Sequence, residues 1–226
     1  MEDQSLAISF SGSLTEEVSG CVGEFLEIGI DSLLDDGIWK DIPFISTAVS
    51  IYRIGHSIRE RHHLKKLAVF LNEIHANAHN ENTRNKYRSQ FCSNEKYRNE
   101  ELEYITILID RYTELTKPQL LARVYLAYLD QDIDWTTFVK FAEIIDRLLP
   151  KDYLLLDETA LNLAIHNNNY DVASRLQSVG LAYMKIDINP VVDATGDMTF
   201  LAEQKYSITA MGDQLKRILN GTLNLD

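Results

Sequence analysis

Breakers are scarce in this chain, and that scarcity limits its fold more than any other feature. Four prolines and ten glycines are spread over 226 residues. Most stretches therefore carry neither the residue that removes a helical N–H nor the one that costs about 1 kcal/mol in a helix interior. Apolar residues recur at steps of three and four, the spacing that a turn of about 3.6 residues gathers on one face. A mainly α fold is expected, and no internal repeat points to a solenoid.

The first expected helix opens at Ser13, with Glu16 three residues on as its capping-box partner. Its seam is Leu14, Val18, Cys21, Val22, Phe25, Ile28 and Leu33, and Glu17, Glu24, Glu27 and Asp31 make the opposite face acidic. Pro43 suits the first turn of a second helix, whose residues Phe44, Ile45, Ala48, Val49, Ile51, Tyr52, Ile54 and Ile58 leave only a thin polar line. A new stripe, Leu64, Leu67, Ala68, Leu71 and Ile74, follows in a different phase, so residues 59–63 are expected to turn a corner or change the facing surface. The polar stretch 77–98 is a candidate hinge. Residues 102–149 then read as three antiparallel helices, one opened by a capping box of Thr116 and Gln119, the last stopped by Pro150. A bundle over 1–150 and a second module over 151–226 are expected, the latter as helices near 152–166 and 170–179, a hairpin, and a final helix from Thr209.

The net charge of −12 is uneven. Residues 1–36 hold nine acids and no Lys or Arg, whereas 40–100 hold eleven bases against six acids. An acidic chain repels phosphate backbones, so nucleic acid is disfavoured as a partner and only the middle segment could face anionic lipid. Two cysteines, Cys21 and Cys92, lie far apart in no CxxC pairing, which suits a reducing compartment such as the cytoplasm. Residues 42–58 reach at most about 25 Å as a helix, short of a hydrocarbon layer of roughly 30 Å. They are expected inside the protein, covered by neighbouring helices. The rival is an interfacial segment over 42–71, with Arg53, Arg59, Arg61, Lys65 and Lys66 contacting an anionic surface.

The C-terminal segments LQSVGL and YSITAMGDQLKRIL resemble a winged-helix domain of the MarR or PadR kind, with Gly180, Leu181, Tyr206, Ile208, Thr209 and Gly212 at the cap and hairpin positions. The resemblance covers roughly the last 70 residues. It implies a helix–turn–helix, a wing and DNA binding through the second helix. This chain departs from that pattern: between 170 and 179 Arg175 is the sole base, and Lys185 and Lys205 in the wing face Asp187, Asp193, Asp197 and Glu203. A winged helix reused for protein docking or dimerisation fits better. The whole chain is also similar to prokaryotic helical proteins without assigned activity, which implies a bacterial or phage accessory protein, in genome defence or a mobile element.

Candidate chemistry fails residue by residue. His75 and His79 stand at metal-ligand spacing near Glu73, but position 76 is Ala where a zincin needs Glu. Asp130, Asp132 and Asp134 begin like a calcium loop, yet Trp135 and Phe141 occupy the places of its Gly and closing Glu, so a helix-capping turn is expected. No GxSxG, GxGxxG or GxxxxGK[ST] occurs. The expectation is a protein that is not an enzyme, with no metal, cofactor or small-molecule substrate. It acts by docking on another protein or on itself as a homodimer, through Glu17, Glu24, Glu27, Asp31 and Arg175. A membrane-surface effector and a DNA-binding regulator are the alternatives.

Overall fold

The structure is a computed structural model that describes residues 58–77, 95–192 and 198–220. Over these residues the chain is mainly helical, with one two-stranded antiparallel sheet. It divides into two compact units, Met1–Ala142 and Glu143–Asp226. The expected helices at 13–34 and 43–57, with Glu17, Glu24, Glu27, Asp31 and Arg53, lie outside the described residues, as does most of the candidate hinge.

In the first unit, α1 (Ile58–Asn77), α2 (Glu95–Arg111) and α3 (Thr116–Leu129) pack around Leu67, Phe70, Leu102, Ile105, Leu121 and Tyr125, joined by the start of α4 (Trp135–Arg147). The expected corner at 59–63 does not form. Residues 58–77 are one continuous helix, because no Gly or Pro interrupts them. His63, Lys66, Leu67, Phe70 and Ile74 then share one face at three- and four-residue steps, so the buried stripe begins with two polar residues.

Helix α3 starts without the expected capping box. Leu115 is its N-cap and no side chain bonds there. Pro118 lies in the first turn, where its fixed φ suits the helix and its missing N–H removes one donor that a cap would otherwise satisfy. Asp134 does cap α4, accepting the Thr137 amide at 2.8 Å. Hydrogen bonding from the Thr137 side chain, and then from its amide, holds the Asp134 carboxyl below the usual range. An aromatic cluster of Tyr125, Tyr128, Trp135 and Phe138 lies between α3 and α4, with Trp135 stacked on Phe138 at 4.9 Å.

In the second unit, the expected helix over 152–166 is split. A 3-10 segment, Pro150–Leu155, precedes α5 (Glu158–His166), because Asp157 is extended (φ −149) and accepts the amides of Thr159 and Ala160 as an N-cap. Then come α6 (Tyr170–Ser178), β1 (Ala182–Val192), β2 (Met198–Ile208) and α7 (Ala210–Asn220). Strand β1 runs on through Asn189 and Pro190, and proline is tolerated because the strand is at a sheet edge.

The turn from α6 into the hairpin uses the residues singled out in the sequence. Gly180 takes φ +76 after α6. Thr209 donates its hydroxyl to the Gly180 carbonyl and accepts the Gly212 amide, capping α7. Gly212 lies so close to the Leu181 carbonyl that a Cβ there would collide with backbone.

Candidate docking surface

Strand pairing determines which side chains share a face. In β1 and β2, Ala182 pairs with Ile208, Met184 with Tyr206, Ile186 with Gln204, Ile188 with Ala202, and Pro190 with Phe200. Because directly opposite residues project to the same side and the side-chain period is two, one face carries Met184, Ile186, Ile188, Pro190, Met198, Phe200, Ala202 and Gln204. Gln204 is the sole polar member of that set. The opposite face carries Lys185, Asp187, Asn189, Glu203 and Lys205.

The apolar face is covered only at its root. Ala182 and Tyr206 are buried, but beyond them Met184 is 40% exposed, Ile186 58%, Ile188 65%, and Met198 and Phe200 66% each. Isolated exposed apolar residues are ordinary on protein surfaces; a contiguous set on a regular ribbon marks an interaction site. The ribbon is anchored where it meets the helices. The Asn162 carboxamide on α5 accepts the Tyr206 N–H at 2.9 Å and donates to the Tyr206 carbonyl at 2.8 Å. On the charged face Lys205 bridges Asp187 at 3.3 Å and Glu203 at 3.1 Å, and these hydrogen bonds raise its pKa. In the sequence the signal for this face is the alternation M-x-I-x-I-x-P answered by M-x-F-x-A, which the interleaved charges mask.

Three of the residues expected to act elsewhere, Arg175, Lys66 and Arg59, have structural partners. Arg175 makes a two-pronged ion pair with the buried Asp152, 2.8 Å on each prong, fastening α6 to the 3-10 segment. Lys66 is 2% exposed, and its ammonium donates to the carbonyls of Asp110 and Tyr112, at 2.7 Å each, at the C-terminal end of α2. It is therefore unavailable to an anionic surface, and burial lowers its pKa. Arg59 remains largely exposed while pairing with Asp110 at 2.7 Å, and Lys65 is half-buried.

His63 Nδ1 lies 3.4 Å from Asp110 Oδ1, within ion-pair range, yet it makes no hydrogen bond and the ring is buried. Burial outweighs the Asp110 charge and lowers the His63 pKa, so the ring is neutral near pH 7. Partial burial raises the Asp110 pKa, but the Arg59 hydrogen bond and the neighbouring cations outweigh it and bring the pKa below the ordinary value. The acidic turn has Asp130 as the C-cap of α3, Asp134 as the N-cap of α4, and Gln131 between them at φ 66.

Among the described residues no group of three or more His, Cys, Asp or Glu is arranged to hold a metal ion, and no helix is long and apolar enough to cross a membrane. No protein-family model, curated protein or solved structure matches the chain. The hairpin face therefore has to be read from its own chemistry.

Proposed function

We propose that this is a non-catalytic docking protein, and that the C-terminal unit is a winged-helix-like module whose elongated wing is the contact surface. The observation that carries the reading is the exposed apolar face of Ile186, Ile188, Met198 and Phe200, held on a ribbon that Asn162 ties to the helices. Burying such side chains, worth roughly 1.5–3 kcal/mol for a fully exposed one and proportionately less for these, supplies the apolar driving force that association entropy opposes. The proposed setting is the cytoplasm of a bacterial cell, as an accessory protein of a defence system or mobile element.

The rival readings have less support. A DNA reader needs free cations on its second helix and wing, but the Arg175 fork is engaged by Asp152 and Lys205 lies between two carboxylates. A lipid-binding segment that begins at residue 42 loses Lys66 to two backbone carbonyls. The test is a photo-crosslinking amino acid placed at Ile188 or Phe200 in cells that naturally carry the gene, with Asn189 on the opposite face as control. Adducts to protein, of whatever identity, are expected from the first two positions. Their absence, or equal yields from all three positions, would refute the reading.

A further inference from the structure

We infer that the occupant of the apolar hairpin face is a second copy of this chain, packed face to face across a twofold axis; the inference rests on the docking reading above. Size is the first argument. At roughly 150–250 Å² for a large apolar side chain, the exposed fractions of Met184, Ile186, Ile188, Met198 and Phe200 leave on the order of 600 Å² uncovered. Two copies would bury about 1,200 Å², the lower bound of stable interfaces.

Charge is the second argument. The chain carries −12, so most of its surfaces oppose a copy of itself, but the paired strands, Ala182–Val192 and Met198–Ile208, carry no net charge. Its apolar face holds no ionisable side chain, and behind it Lys185 and Lys205 balance Asp187 and Glu203, with Lys205 bridging both acids. Strands whose charges are already compensated offer nothing to select a strongly basic or acidic partner, and little to repel their own twin.

Shape is the third. Antiparallel strands twist with one fixed hand, and two sheets pack about 10 Å apart with strands aligned to about 30° when their twists agree. A second copy has the same twist by construction, and a twofold contact presents the same patch from both sides. Lipid is a poorer occupant, because beyond the root, where Asn162 and Glu158 pair with β2, the edges of a two-stranded ribbon would carry backbone N–H and C=O groups into hydrocarbon.

The experiment is mass measurement by light scattering and sedimentation on the full chain from about 1 to 100 µM, an interval that brackets weak dimers. Wild type is expected to approach twice the chain mass of 25.9 kDa. Ile188→Lys and Phe200→Glu, at positions that are 65% and 66% exposed, should weaken association at least ~30-fold while leaving the circular dichroism spectrum intact. Lys185→Gln on the opposite face should dimerise like wild type. A wild-type monomer throughout this interval, or a dimer that survives both substitutions, overturns the second-copy inference. If the cellular crosslinks at Ile188 still go to a different protein, the docking reading stands while this inference falls; if no crosslinks form, both fall.

Discussion

Replacing Arg175 by methionine keeps an unbranched side chain of similar reach and removes both guanidinium donors. Asp152 is 1% exposed, so its carboxylate would be left with the Leu149 amide, 3.1 Å away, as its remaining hydrogen bond among those that hold it now. Breaking a fully buried pair from one side costs about 3–5 kcal/mol. The Arg175 side chain is 34% exposed, so water screens part of the lost attraction and about 2–4 kcal/mol is expected.

That cost belongs to the second unit, where α6 and the 3-10 segment are joined, so hydrogen exchange over Tyr170–Ser178 reads it directly. A loss of about 3 kcal/mol raises the open population over ~100-fold. Asp152→Leu combined with Arg175→Met removes both charges and should recover most of the loss, less about 1 kcal/mol for the Leu149 amide left without its acceptor. The coupling energy from the four chains should exceed ~1.5 kcal/mol. If Arg175→Met exchanges within threefold of wild type, or the double variant is as labile as the sum of the single ones, the ion pair does not hold α6 in place.

Gly212→Ala and Gly180→Ala should differ in a fixed order. A Cβ at 212 meets the Leu181 carbonyl and lies 2.7 Å from Ile208 Cγ2, so backbone has to move and the melting temperature should fall by over ~10 °C; at 180 the cost is about 1 kcal/mol from φ +76, with the flexible Met211 tip giving way. Thermal melts in the reverse order would contradict this packing. The pH dependence follows from His63. Its folded pKa lies below 6.5, so the unfolded chain takes the proton first, and stability that is complete above 6.5 is lost as pH falls toward the folded value. Asp110, with a lowered pKa, gives up its contribution only below its ordinary 3.8 and so does not act in the window below pH 6.5 where His63, beside Arg59, His62 and Lys66, does. Urea midpoints read by tryptophan fluorescence, Trp39 and Trp135 both lying in 1–142, should drop across that window in wild type and less in His63→Gln; equal slopes would refute the assignment.

Helices α2, α3 and α4 were legible because their stripes are long and no breaker interrupts them, Pro118 falling in the first turn of α3 where a proline is tolerated; the hairpin and the cap at Thr209 were legible because turn chemistry is local. Three features were hidden for identifiable reasons. Lys66 reads as part of a basic surface from residue type alone; helical phase puts it, with His63, on the stripe of Leu67 and Phe70, and the partners of the two are carbonyl and carboxylate groups 44–47 residues away, which no local pattern reports. The break before α5 depended on Asp157, which reads as a helix-interior residue until its carboxylate is seen capping Thr159 and Ala160 and pairing with Lys216 at 2.8 Å. The length of β1 was masked by Asn189 and Pro190, which suit a turn in isolation and lie in a strand because Leu201 and Phe200 pair with them.

Asn162 gives the hairpin an asymmetry. Its carboxamide meets Tyr206 as the peptide group of a third strand would, and Glu158 accepts the Ile208 amide at 3.3 Å, so the root of that edge is already occupied. An invading strand could zip onto β2 only from the far tip, where each rung must form without a pre-laid neighbour. One side-chain amide thereby makes the β2 edge a poorer template than a bare strand at the end where the ribbon meets its helices.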